Sequence, residues 1–511
     1  MNRLYRSLLL LLLTLVLAFG LCACKEEPAQ QEHKHTFSSE WITDADYHWH
    51  QATCEHTELT STPKRHVWGS VINNGNGTAT YTCKVCGKKV TNNLPAVISM
   101  VNTGPGEDAS KSVVISWHST TAGSSLEYQN DGEAEWTAVA NAQCNEVLST
   151  TDWRDTAGNP LDSSHYRCKV YLDDLNPGST YKYRIKEAGG DYSDVAMFKT
   201  AEADTTSFQF LWLSDNHVPK GGKTTLNRVS ELLAYAQANE DVDPEFVIFT
   251  GDMVNKGQIY EHWNYWSDSG LLDNMTYAFV CGNHDYYGWN DKERTTNDFY
   301  KEFAAYPANN TAGEKSVLDS NYWFIWNRVL FVCIDNFTIE SEILNTLDGS
   351  SLSEQQAWFK AVVEANEGKY DYLIYAQHLP WFNTDTNTPC DYGYYTNWRK
   401  IFDTYKVDFA LSSDEHTYRR TYPLYGNDKA KAEFVDGKVS KGTVYVTSNQ
   451  TEGSSISSLK NTAPKNLKYV EYTAGGIGGV YFTVTPTEMT LHLIGSGGRE
   501  FDSITVLKKD R

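Results

Sequence analysis

The sequence predicts a multidomain chain in which a short Cys/His-rich module and an all-β sandwich lead into a large α/β domain. Three observations predict it: the length, a change of hydrophobic period along the chain, and polar, chemistry-bearing residues that recur at the ends of apolar runs. At 511 residues, a prior of roughly 150 residues per domain gives about three domains. Apolar residues at 40%, charged residues at 21% and aromatics at 13% describe a globular chain and exclude a disordered or collagen-like one. Lys+Arg 44 against Asp+Glu 65 leave a formal charge of -21, which repels a phosphate backbone and excludes general nucleic-acid binding. If so acidic a protein handles anions, bound cations or a local Arg cluster must reverse the field where they dock.

The N-terminus reads as a targeting segment. Arg3 and Arg6 precede an apolar run from Leu8 to Leu21, shorter than the roughly 18 residues or more of a membrane span. Leu21-Cys22-Ala23-Cys24 resembles the bacterial lipobox, which implies a lipid on Cys24; the alternative is an ordinary cleaved signal peptide. Either reading exports the chain, and the first anchors it to the cell membrane as an extracytoplasmic lipoprotein. Residues 1–24 are then the signal peptide, and 25–32, rich in Glu, Gln and Pro, the tether.

Residues 33–94 hold the Cys/His-rich module. Cys83-Lys-Val-Cys86 followed by Gly87 has the spacing of a metal knuckle. With Cys54 and one histidine, His66, it makes a candidate structural zinc site in a zinc-ribbon-like module. The alternative is a disulfide from Cys83 to Cys86, or one containing Cys54, with the histidines exposed. The module resembles small His/Trp/Cys-rich units of Gram-positive surface proteins, a likeness that implies no chemistry.

From 95 to 204 the pattern turns to short alternating strands, at Ser112–Trp117, Tyr166–Tyr171 and Tyr181–Ile185 after Asn176-Pro-Gly178. Cys144 and Cys168 are candidates for a disulfide. Leu172 to Arg184 and the exit at Ala196-Met-Phe-Lys-Thr200 resemble the fibronectin-III-like domain that precedes the catalytic domain of purple acid phosphatases.

Beyond residue 205, apolar strands alternate with helical patterns such as Leu226 to Ala238. Phe208–Leu213 delivers Asp215 and His217; Phe246–Phe249 delivers Asp252; Thr276–Val280 delivers Asn283, His284 and Asp285. Tyr372–Tyr375 delivers His378, and Val407–Leu411 delivers Asp414 and His416. Ligands at the carboxyl ends of strands are where such sheets bind. Each piece alone is common, since a lone Asp-x-His is usually a surface turn; in this order and after these strands, chance accounts poorly for them.

Over roughly 206–510 the constellation resembles the calcineurin-like metallophosphoesterases, including the purple acid phosphatases. The resemblance implies a four-layer α/β fold, a β-sandwich flanked by helices, over 205–511. It implies a metal-dependent phosphohydrolase, foremost a phosphomonoesterase, acting on a phosphoester substrate. Two divalent ions, drawn from Mn, Fe, Zn and Mg, would be held by Asp215, His217, Asp252 and His416 on one side. Asp252, Asn283, His378 and Asp414 would hold the other. A metal-bound hydroxide would attack phosphorus, with His284, held by Asp285, at the phosphate or the leaving oxygen, and with Arg420 as a further candidate phosphate contact.

Two departures stand out. Asn255 replaces the tyrosine that colours the purple enzymes, so the chain should not be purple; Asp414 replaces a histidine, which favours Mn, Mg or Fe(II) over zinc there. A phosphodiesterase on nucleotides or lipid headgroups, and a surface adhesion protein on a degenerate scaffold, are the competing readings. Aromatics at Tyr286, Tyr287, Trp289, Trp381, Phe382, Tyr392, Tyr394 and Tyr395 crowd the expected rim, and Asn383 to Asn397 reads as an irregular substrate-side loop.

Overall fold

The computed structural model describes residues 34–511 apart from 74–77, 94–97, 121–122, 140–142, 147–152, 162–165, 188–190, 204–206, 220–228, 230, 233–241, 291–296, 310–319, 338–348, 384–385, 391–393, 450, 452–466, 477 and 496–498. The expected targeting segment, with Cys24, lies outside the described residues, as does Tyr392. Among those described, no helix is long and apolar enough to cross a membrane. The chain divides into two units, Met1–Asn93 and Leu94–Arg511.

The first unit has two three-stranded antiparallel sheets: β1 (Ile42–Thr43), β2 (Tyr47–Trp49) and β3 (Lys64–Arg65), then β4 (Trp68–Asn73), β5 (Thr78–Cys83) and β6 (Lys89–Asn93). Cys83, Cys86 and His66 converge as the spacing suggests. Their fourth neighbour, however, is His48 from the middle of β2, not Cys54. Cys54 faces His35 instead, Sγ to Nδ1 3.5 Å, in a separate group with His56. The β2–β3 register, which pairs His48 with Lys64, makes this choice, and linear spacing does not reveal it.

The second unit opens with the sandwich. Strands β7 (Ile98–Pro105), β8 (Val113–Ser119), β9 (Ser125–Asn130), β10 (Thr137–Ala138), β11 (Gln143–Glu146), β12 (Tyr166–Leu172), β13 (Thr180–Lys186) and β14 (Ala196–Lys199) form two sheets, ordered β10-β9-β13-β14 and β11-β12-β8-β7. They close on a core that includes Trp117, Leu126, Val170, Tyr183 and Phe198. Strand β13 alternates Tyr181, Tyr183 and Ile185 inward with half-buried polar residues between, as its sequence requires. Cys168 is disulfide-bonded, and Cys144 stands directly opposite it in the β11–β12 register.

The sandwich is no free-standing spacer. Thr103 of β7 pairs with Thr276, so the sheet continues into the next domain. Asn102 fastens the seam: its Nδ2 donates to the Phe303 carbonyl and its Oδ1 accepts from Ala305 N–H, each at 2.9 Å. Gly104 permits the approach, because a Cβ there would lie 1.9 Å from the Ala305 oxygen.

The remaining strands are β15 (Phe208–Leu213), β16 (Pro244–Thr250), β17 (Thr276–Val280), β18 (Tyr322–Trp326), β19 (Val329–Cys333), β20 (Tyr372–Ala376), β21 (Phe409–Ser412), β22 (Thr417–Thr421), β23 (Glu433–Val435), β24 (Lys438–Lys441), β25 (Val444–Thr447), β26 (Val470–Gly475), β27 (Gly479–Val484), β28 (Glu488–Ile494) and β29 (Glu500–Leu507). Four helices are used below, α1 (Tyr260–Ser267), α2 (Asp298–Phe303), α3 (Gly349–Ala365) and α4 (Tyr394–Tyr405). One sheet runs β7-β17-β16-β15-β27-β28-β29-β24-β23 onward from the sandwich; the other runs β18-β19-β20-β21-β25-β22-β26. Phe331 packs edge-on against Phe210 and Phe246 between them.

Trp266 of α1 and Phe303 of α2 cover the first sheet through Phe249 and Phe279, while Phe359 of α3 and Trp398 of α4 cover the second through Tyr375. The result is four layers, helix, sheet, sheet, helix. Strands β17, β19, β20, β21 and β25 are buried along their whole length and β16 at every position but one, as parallel strands covered on both faces must be. Pro244 and Thr250 end one of them with a single half-buried position, Glu245. The helix expected over Leu226 to Ala238 is described only at Val229, Glu231 and Leu232, which are helical. The stretch from Asn383 is shorter than expected as a loop, since α4 begins at Tyr394.

Candidate metal centre

Each candidate ligand lies in the turn just past the carboxyl end of an apolar strand. Asp215 follows β15, Asp252 follows β16, Asn283 follows β17, His378 follows β20 and Asp414 follows β21. Parallel neighbours end together, so β15, β16 and β17 deliver their residues to one edge, as do β20 and β21 of the second sheet. The backbone there is bent in a distinctive way. Asp215, His217, Asp252, Asp414 and His416 all have φ between 51° and 73°, the left-handed region that costs a non-glycine residue about 1–2 kcal/mol. Five such residues at one spot are held by the surrounding fold. Gly251 and Gly282 make room: a Cβ on Gly251 would meet His378 Nδ1 at 2.5 Å, and one on Gly282 would meet Asp252 Oδ1 at 2.4 Å.

The side chains close into one nest. Asp252 divides its carboxylate, with Oδ1 3.2 Å from His378 Nε2 and Oδ2 3.6 Å from His217 Nε2. On the His217 side, His416 Nε2 lies 2.9 Å from His217 Nε2 and 3.5 Å from Asp215 Oδ1. On the His378 side, Asn283 Oδ1 is 2.9 Å from His378 Nε2, and Asp414 Oδ1 is 3.7 Å from that nitrogen. All seven expected ligands are therefore together. Asp414 and His416, at 29% and 30% of the side chain, and Asn283 are the half-buried members, so the nest opens on their side.

Electrostatics shows what this set of side chains favours. Asp215, Asp252 and Asp414 are three carboxylates among imidazoles, with no Lys or Arg paired to them among the described ion pairs. Burial pushes Asp215 well above the carboxylate range, with His378 pulling it down and Asp252 and Asp414 adding to the rise. Asp414 is pushed up to about 6, again first by burial. Burial lowers His378, but Asp252, Asp215 and Asp414 outweigh it and leave its pKa well raised. Asn283 Oδ1 faces acceptors only: Asp252 at 3.2 and 3.3 Å, His378 Nε2 at 2.9 Å and Asp414 Oδ1 at 3.3 Å. Turned the other way, the amide would donate its nitrogen to those acceptors and accept from Tyr287 Oη at 2.9 Å, so the oxygen-inward orientation is the one that a cation among the acceptors favours. The oxygen and imidazole donor set fits divalent metal ions.

Residues 208–418 match the family model for the calcineurin-like phosphoesterase, and residues 99–200 that for the purple acid phosphatase N-terminal domain. The chain carries a calcineurin-like phosphoesterase domain. An uncharacterized protein of Mycobacterium tuberculosis (strain H37Rv) is 24% identical over 339 residues, which cover 63% of this chain and 61% of that protein. The probable inactive purple acid phosphatase 27 of Arabidopsis thaliana is 20% identical over 405 residues, 73% of this chain and 62% of that one. The chain thus spans about three fifths of the length of these relatives. Among solved structures, purple acid phosphatase PPD1 from yellow lupin (Lupinus luteus) seeds superposes with a TM-score of 0.61 at 16% identity, over 85% of this chain and 79% of that one. PhoD superposes with a TM-score of 0.52 at 14% identity, over 80% and 90%. Both likenesses show the fold.

Around the calcineurin-like phosphoesterase ligands, a second set of residues fixes orientation. His378 Nδ1 donates to the Thr250 carbonyl at 2.6 Å, which turns Nε2 towards the nest. Ser413 Oγ donates to the same carbonyl at 2.5 Å. His284 is held differently from expectation. Its Nδ1 donates to the Asn255 carbonyl at 2.9 Å, and its ring stacks on Tyr287 with centroids 4.2 Å apart.

Asp285 turns the other way and does not touch His284 through its carboxylate. It accepts from the backbone N–H groups of Gly282, Met253, Asp252 and Val254, at 2.8, 3.1, 3.2 and 3.4 Å. Asp285 is therefore a positioning residue for the Asp252 turn, and Tyr287 is a positioning residue for Asn283 and His284. Sequence reading placed Tyr287 on a substrate rim; only its offset of four from Asn283 hinted at more.

Arg420 is also corrected. It is buried, bound to Asp502 (Nη2 to Oδ1 2.8 Å) and to Glu471, and so belongs to a β22–β29–β26 ion pair, not to the metal nest. Of the rim aromatics, Tyr286, Trp381, Phe382, Tyr394 and Tyr395 lie in the core, and Trp289 is exposed.

Proposed function

We propose that the chain hydrolyses phosphate monoesters, using two divalent cations that share Asp252. The division of the Asp252 carboxylate between the His217 and His378 groups carries this reading. The purple acid phosphatase N-terminal domain match supports the monoester over the diester. Asp215, His217 and His416 would complete one ion's shell, and Asn283, His378 and Asp414 the other's. When bound, the pair neutralises phosphate charge and acidifies a water molecule towards neutral pH.

The chain's own groups do the rest. Asp285 and the glycines hold Asp252 rigid, so little reorganisation is needed when charge develops. His284, with Nδ1 committed to Asn255, presents its other nitrogen beside His217, ring centroids 4.3 Å apart. There it binds a phosphate oxygen or, when protonated, gives a proton to the leaving oxygen. Asp414 and His416 frame the open side, through which an acidic protein admits an anion only once cations are in place.

Export to an oxidising compartment belongs to the same proposal. Arg3, Arg6, the Leu8–Leu21 run and Cys24 support it, as does the disulfide-bonded Cys168. The test is hydrolysis of an aryl phosphate monoester and its matching diester with Mn, Zn or chelator. Monoester turnover that chelator removes and metal restores is the expected result. Diester preference, or no turnover on either with metals bound, contradicts the proposal.

A further inference from the structure

A second group of metal-ligating side chains lies in the first unit. We infer that His48, His66, Cys83 and Cys86 hold a structural zinc ion that serves as the interior of the N-terminal module. Three distances define the group: Cys86 Sγ to His66 Nδ1 3.4 Å, His48 Nδ1 to His66 Nδ1 3.4 Å, and Cys83 Sγ to His48 Nδ1 4.0 Å. A tetrahedral zinc with Zn–N of about 2.0–2.1 Å and Zn–S of about 2.3 Å separates its ligands by roughly 3.3–3.8 Å. The four atoms are already spaced for it, within 4.8 Å of one another.

Their surroundings point the donors inward. His66 Nε2 donates to the Asp44 carbonyl at 3.1 Å, leaving Nδ1 unprotonated towards the sulfurs. Asp44 is itself fixed, since its Oδ1 accepts from the N–H of Asp46 and Tyr47 at 2.9 and 2.7 Å. The knuckle is turned by Gly87, whose φ is 71° and whose N–H donates to the Cys83 carbonyl at 3.0 Å. The ligands come from both sheets: His48 from β2 of the first, Cys83 from the end of β5 of the second. One ion therefore ties the two together.

The second argument is what else is buried. Among the described residues of this unit, the buried side chains are His48, His66, Cys83 and Ala52; Phe37, Trp41, Leu59, Val67, Trp68 and Val85 are exposed. So thin an apolar interior among the described side chains is the setting in which small domains rely on metals or disulfides. Cys83 and Cys86 are both free thiols here. Two thiolates and two imidazoles make a closed set for zinc, chemically distinct from the thiol-free nest of the phosphoesterase domain.

The test loads the full-length chain with Co2+, because only a thiolate site gives sulfur-to-cobalt charge transfer beside tetrahedral d–d bands. Those bands are expected to persist in Asp252→Asn and Cys54→Ser and to vanish in Cys83→Ser and Cys86→Ser. Chelation of the zinc form is expected to open residues 34–93 to protease at least tenfold faster. Bands that survive Cys83→Ser and vanish in Cys54→Ser would move the metal to the His35–Cys54–His56 group and overturn the assignment. Absent bands, with or without a Cys83–Cys86 disulfide in the mass spectrum, overturn it as well. Cobalt bound at Cys83 without any change in protease resistance on chelation overturns the structural role.

Discussion

The two metal-ligating regions are built on opposite plans. In the phosphoesterase domain, the candidate ligands from Asp215 to His416 come from the ends of five strands, and a thick aromatic core holds five of them in left-handed backbone. In the N-terminal module, the candidate ligands lie between His48 and Cys86, and among the described side chains almost nothing else is buried. The first region has a fold that makes a site, and the second has a site that makes a fold. Chelation should therefore unfold residues 34–93 while lowering the melting temperature of 94–511 by only a few degrees, the usual scale of a linked ligand. Calorimetry with and without chelator checks this, and equal loss in both units would erase the contrast.

Substitutions sharpen it further. Asp252→Asn should cut aryl phosphate turnover on the order of 10³-fold or more, because several kcal/mol of charge stabilisation pass through the shared carboxylate; circular dichroism should stay unchanged. His284→Ala should cost about 10²-fold in kcat with metal content intact, which metal analysis beside steady-state kinetics would show. Asp285→Asn removes an acceptor that gathers four backbone N–H groups, and should weaken metal binding or turnover by about 10–100-fold. Tyr287→Phe should have the smallest effect, about tenfold in affinity for the ion beside Asn283, read by metal titration. For contrast, Arg420→Met should destabilise the fold by about 3–5 kcal/mol, by stranding Asp502, without changing kcat per folded molecule.

The convergence of the seven candidate ligands was legible because the fold gathers polar residues at a readable place, the turns just past apolar strands. The four-layer core was legible for the same reason, in its runs of buried strand residues. What escaped depended on partners far away in sequence. Asp285 adjoins His284, so contact was the natural guess, but neighbours in a tight turn diverge, and this one points at the backbone of the preceding strand's turn. Arg420 follows His416 at a spacing that suggests a shared site, yet Asp502, on β29, claims it. His48 and Cys54 are equally good zinc ligands on paper, and only strand register separates them. The joining of sandwich and phosphoesterase sheets at Thr103 and Thr276 leaves no local trace.

The account turns on whether one carboxylate couples two ions. Electron paramagnetic resonance of the Mn2+-loaded chain measures that coupling directly. Exchange-coupled manganese in the wild type, lost in Asp252→Asn, is the predicted result. Isolated, uncoupled manganese in the fully loaded wild type would contradict it.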